Sequence, residues 1–186
     1  MNCYGAKDLA ASFRTVRKNT ITIAEEIGEE HYGFRAAPDT RTVAQLLVHI
    51  ASAPELAYQI HAVERRTTLE GFDFPSFITK RIAEENAKHT KQELLSRLRA
   101  DGDKFANWLD GLSDEFLAER VAFPAGMQPA SKTRFEMLLS AKEHEMHHRG
   151  QLMLIERMVG IVPHLTREMQ ARFAAMQAGS ATATAR

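Results

Sequence analysis

Residues 137–155, MLLSAKEHEMHHRGQLMLI, decide how the chain is read. Met137, Ala141, His144, His148, Gln151 and Ile155 recur at alternating steps of three and four, the pattern of a helix facing a bundle interior. Two of those positions are histidines where leucine is expected. On a helix turning roughly 100° per residue, their rings project side by side from successive turns. The same letters from His144 to His148 spell H-E-x-x-H. In zinc metalloproteases two such histidines hold the metal and the glutamate, here Glu145, is the general base.

Working outward, the helical period persists. Leu9, Phe13, Val16, Thr20, Ile23 and Ile27 predict a first helix from Ala6 to about Glu30. HYGFRAAPDTRT breaks it, with Asp39 or Thr40 as the cap of a second helix. That helix carries Leu46, His49, Ala53 and Ile60 inward, and Pro54 predicts a kink. TTLEGFDFPSF reads as a loop whose Phe72, Phe74 and Phe77 plug an end of the core or line a pocket, plugging being the preferred reading. A third helix spans Thr90 to Gly111, and a fourth, capped by Ser131 or Thr133, ends near Gly160. A short amphipathic segment follows Pro163. No stretch alternates as a strand does. The expected architecture is all-α: a four-helix bundle with a short extra C-terminal helix. A single domain is expected over residues 1–178, with 179–186 a disordered tail.

Composition narrows the function. Lys plus Arg and Asp plus Glu balance at 24 each, so no global field draws the chain to nucleic acid or membranes. No run approaches the roughly 20 apolar residues of a membrane span, and no secretory signal precedes the first helix. Cys3 is the one cysteine, which excludes an intrachain disulfide. The expected setting is cytoplasmic.

Eight histidines remain to be sorted. His49 sits on the inward side of the second helix, so with His144 and His148 it makes three imidazoles converging from two helices. Three unpaired buried imidazoles would cost several kcal/mol, on the order of 1–3 each, and a metal removes that cost. The set suits Zn, Ni, Cu or Fe(II) with an open fourth position. Gln45 and Gln151 stand one turn from the ligands and are candidates to orient them. His147 flanks the site, Arg149 points away toward an acid partner, and Gly150 allows close helix packing. His31, His61, His89 and His164 read as surface residues.

Two other metal chemistries compete. A protease would need the sheet edge this chain lacks, although Glu168 lies where some zincins place a third ligand. A di-iron bundle needs a second Glu-x-x-His, and only Glu145 to His148 supplies one.

TVAQLLVHIASAPEL and HEMHHRGQLMLIERMVGIVP, with the lead-in FRAAPDTRTVAQLLVHI, resemble the DinB/YfiT-like superfamily over roughly Leu9 to Pro163. The resemblance implies a bundle with a divalent metal, zinc or nickel, on His49, His144 and His148, and a homodimer. It further implies a metal-dependent enzyme, a thiol-dependent transferase or isomerase, acting on a small-molecule substrate with a low-molecular-weight thiol such as bacillithiol or mycothiol. Apart from the resemblance, a metal in the open site could equally generate a hydroxide for a hydrolase-like reaction. The competing class is a non-catalytic bundle that a metal staples together for interaction or stress response.

Overall fold

The structure, a computed structural model, describes residues 4–184, with side chains as far as Ala178. Cys3 lies outside the described residues. Four long helices form the bundle: α1 (Ala6–Glu26), α2 (Val43–Tyr58), α4 (Lys91–Asp110) and α6 (Arg134–Met158). α1 and α2 each pack on α4 and α6, so α1 stands diagonally across from α2. α3 (Phe74–Asn86) lies against α2, α5 (Asp114–Ala118) against α6, and α7 (His164–Thr184) touches α1. α7 is helical to Thr184, and the rest of the tail expected from residue 179 lies outside the described residues. Among the described residues, no helix is long and apolar enough to cross a membrane.

Local chemistry explains the boundaries. Thr42, Thr90 and Thr133 each accept a hydrogen bond from the backbone N–H three residues on, and the Gln or Glu at that position reaches back. These reciprocal caps satisfy N–H groups that a helix start leaves unpaired. The start of α2 is therefore Thr42, two residues beyond the expected Thr40. α1 ends at Glu26, short of the expected Glu30, because Ile27 is already extended and Glu29–His31 form a separate 3-10 turn. α6 ends at Met158, and two residues on Gly160 turns the chain away with a φ of +86° that few side chains tolerate. There the N–H of Ile161 returns to the Glu156 carbonyl at 2.7 Å, and that of Gly160 to Arg157 at 3.2 Å.

Two elements depart from expectation. α3 occupies a segment read largely as loop and linker. It begins at the Asp73 cap, and among its residues only Glu85 is buried, so it presents almost no apolar stripe. Two three-residue strands, β1 (Arg120–Ala122) and β2 (Ser131–Thr133), pair antiparallel and lead into α6. Strands so short show no alternation for sequence to reveal. Phe72 and Phe74 meet edge to face, centroids 4.6 Å apart, and pack on Ile60, Leu69 and Val121, so they plug one end of the core.

The interior also holds ions. Arg17 of α1 and Glu145 of α6, with side chains 4% and 1% exposed, pair at 3.0 and 3.1 Å through the guanidinium Nε. Arg17 Nη1 donates to the Leu98 carbonyl of α4 at 2.8 Å, and Nη2 to the Ile50 carbonyl of α2 at 3.3 Å. Ile50 is four residues before Pro54, whose ring leaves that carbonyl without its usual helical donor. Gly102 of α4 makes room: a Cβ there would come within 2.8 Å of Arg17 Cγ.

Replacing Arg17 with Met leaves Glu145 buried and unpaired, and urea denaturation should show a loss of about 3–5 kcal/mol. Adding Glu145→Met to that variant should recover most of the loss, which distinguishes a stranded charge from lost packing.

Candidate metal centre

The rotation of α6 about its own axis places the histidines. Its buried residues are Leu138, Ala141, Glu145, His148, Leu152 and Ile155, with Arg134 and Glu156 near the ends. The centre of the interior face is thus Glu145, while His144 and Met137 are half-buried and Gln151 is exposed. This corrects the expected seam by about one residue of rotation. His148 stays inside, and the two histidines fall on the flank that faces α2 and α3.

Opposite them stands His49 of α2. Its Nε2 lies 3.0 Å from Nε2 of His144, which lies 3.2 Å from Nε2 of His148. The three candidate ligand atoms all lie within 4.8 Å of one another, and they form one group of potential metal donors among the described residues. The remote ring nitrogens fix the tautomers. His49 Nδ1 meets Glu85 Oε1 at 2.6 Å, and His148 Nδ1 meets Gln151 Oε1 at 2.8 Å. Both partners accept, so each Nδ1 carries the proton and each Nε2 points its lone pair at the others. His144 Nδ1 is buried with no partner among the described residues.

All three imidazoles are held neutral. Burial pushes His49 down to about 4, with the Glu85 hydrogen bond opposing it. Burial and the positive charge His148 and His49 would carry push His144 down to about 3. His148 is lowered too, again by burial first. Burial raises the Glu85 carboxyl, but Arg41, at 2.7 Å, and His49 outweigh it and leave the group below the ordinary carboxylate range. Three neutral imidazoles whose Nε2 atoms converge, two of them aligned by acceptors behind the ring, fit a divalent transition ion.

The flanking residues divide. Gln151 orients His148 as anticipated, but Gln45 caps α2 and donates to Asn86 at 2.9 Å instead. His147 is exposed and meets His148 edge to face, with ring centroids 4.8 Å apart. Glu145 is committed to Arg17, so it is not placed as a general base at this site. Arg149 forms no ion pair among the described residues, and a Cβ at Gly150 would meet nothing within 4 Å, so neither has the expected role. His61 and His164, expected at the surface, are 1% and 6% exposed.

Sequence reasoning missed Glu85 and Arg81, both on α3. Arg81 Nη2 donates to the His49 backbone carbonyl at 3.1 Å, so α3 grips His49 at both ends. The Asp73 cap before Phe74-Pro75 was the available signal for that helix.

Two cavities open on the triad. One of about 640 Å³ reaches His148 and is bordered by Arg35, Arg41, Gln45 and Gln151. The other, about 350 Å³, reaches His144 from the side of Ile60, Arg81 and Met137.

A family model described as the DinB superfamily matches residues 12–152. The uncharacterized protein YjoA of Bacillus subtilis (strain 168) is 23% identical over 155 residues, 83% of this chain and 91% of that protein. Its crystal structure, described as DinB-like, superposes with a TM-score of 0.60 at 22% identity, covering 82% of this chain and 91% of the other. An uncharacterized protein from Clostridium difficile 630 gives a TM-score of 0.67 at 17% identity, over 86% and 99% of the two chains. A conserved protein from Enterococcus faecalis gives 0.58 at 19%, over 84% and 97%. These structures share the bundle fold.

The lowered histidines make a pH prediction for the metal-free chain. Unfolded, they bind protons below about 6.5, whereas folded His49 resists until about 4, so stability is complete above 6.5 and falls as pH drops through that window. His61, lowered to about 4 by burial, adds to this slope. Glu156, raised to about 7 by burial and Glu26, has the opposite sign and loses stability as pH rises. Thermal melts of Glu156→Gln should therefore show a steeper loss of stability on acidification than wild type.

Proposed function

The chain belongs to the DinB superfamily, and we propose that it holds a divalent metal on His49, His144 and His148 and uses it as an enzyme. The carrying observation is the meeting of three Nε2 atoms with the Nδ1 protons of His49 and His148 tied to Glu85 and Gln151. A core histidine satisfied by hydrogen bonding needs one donor for one acceptor, whereas the lone pairs of His49 and His148 both point at the single Nε2 of His144. Zinc or nickel suits the three imidazoles, and such an ion lowers the pKa of a bound thiol or water enough to supply a nucleophile near neutral pH.

What the chain itself contributes is arrangement. Glu85 and Gln151 orient two ligands, Arg81 fixes the backbone beneath His49, and two cavities give room for two reactants on either side. That pairing supports a transfer between a low-molecular-weight thiol and a second small molecule, with hydrolysis as the variant in which water is the nucleophile. Three donors rather than four gather among the described residues, which favours an open site over a closed structural staple.

Elemental analysis after zinc or nickel reconstitution should find one ion per chain in wild type and none in His148→Ala. Wild-type chain that takes up no stoichiometric metal would end this reading. Glu85→Gln keeps the ligands but removes the carboxylate behind His49, and competition with a chelating dye should show about 10–100-fold weaker affinity.

A further inference from the structure

The smaller cavity carries donors that the metal site does not use. His61, 1% exposed, borders it together with Arg81, Lys132 and His144. The Arg134 guanidinium lies 2.9 Å from His61 Nδ1. An arginine only donates, so Nδ1 accepts and Nε2 bears the hydrogen. That Nε2–H is buried and has no partner among the described residues. Burial, then the charge of Arg134, pushes His61 down to about 4, so it stays a neutral donor near pH 7.

Arg81 repeats the pattern. Its Nε is buried with no partner among the described residues, although Nη2 is spent on the His49 carbonyl. No carboxylate lies within ion-pair distance of Arg81 or of Lys132, again among the described residues. Glu136, the acid on this wall, accepts from the Thr133 N–H and hydroxyl at 2.7 and 2.9 Å. Apart from Ser140, the remaining wall is apolar, formed chiefly by Leu56, Ile60, Phe123 and Met137. A buried donor without an acceptor costs roughly 1–3 kcal/mol, and two beside one cavity point to an acceptor that arrives with a ligand.

We propose that this cavity binds a small organic acid, its carboxylate received by Arg81, Lys132 and the His61 Nε2–H and its apolar body lying on Phe123, Met137 and Ile60. The acid is the second reactant, held beside His144. This deepens the proposed function and rests on it for the role of the bound acid, whereas binding itself uses no metal.

Phenylacetate and its neutral counterpart phenylacetamide are suitable probes, titrated by calorimetry into metal-free and zinc-reconstituted chain. Phenylacetate should bind the metal-free chain, about tenfold or more tighter than the amide, because ionic hydrogen bonds are lost with the charge. Arg81→Gln should weaken it about tenfold, and Lys132→Gln, at a half-exposed site that tolerates change, by a smaller factor in the same direction. Arg35→Gln, on the other cavity, should leave it unchanged, and the Met137 methyl resonance should shift on binding. Equal affinity for acid and amide, undiminished binding by both cavity variants, no saturable binding, or binding only when zinc is present would each overturn the proposal. A chain that binds phenylacetate but no zinc would sink the metal reading and leave this one standing.

Discussion

Everything in the bundle is referred to the buried pair of Arg17 and Glu145. One guanidinium on α1 holds a carboxylate on α6 and carbonyls on α2 and α4, so a single side chain touches all four long helices. Buried charges are stable only when paired and fully hydrogen-bonded, which ties the four helices to one relative rotation. With Glu145 drawn to the centre, His144 and His148 must fall on the flank toward α2. A rotation placing His144 at the centre would seal it inside a dry core, away from both cavities. The ion pair thus sets where the histidines meet, although neither of its members lies among them.

The site is completed by a helix that contributes little apolar burial. α3 rests on α2 through Glu85, Arg81 and the Phe72–Phe77 cluster, with Ile78 and Ile82 left 45% and 52% exposed. Its polar contacts serve as a frame for His49, holding the ring through Nδ1 and the backbone through the carbonyl. Such outer contacts determine which ring nitrogen bears the proton, and so which faces a ligand. The bundle supplies convergence, and α3 supplies the tautomer.

Sequence revealed the parts that follow from period and spacing. The three- and four-residue steps gave four long helices, and His144 with His148 on one of them followed from a helical turn. His49 emerged because a polar residue interrupts an apolar face. Periodicity fixes a face only to within a residue or so, and Glu145 shows why: a charged residue paired across the core looks like a surface residue until its partner is known. Arg17 lies 128 positions away on another helix, and no local pattern joins them. His61 hid for the same reason, since its partner Arg134 is also charged. α3 escaped notice because its docking is polar, while β1 and β2 are too short to alternate.

X-ray absorption of the zinc-reconstituted chain tests the three-histidine site most directly. The geometry predicts three imidazole nitrogens at about 2.0–2.1 Å and one exchangeable light atom completing the shell. That first shell should be the same in wild type and in Glu145→Gln. A spectrum with sulfur in the shell, fewer than three imidazoles, or a shell that changes when Glu145 is replaced would contradict it.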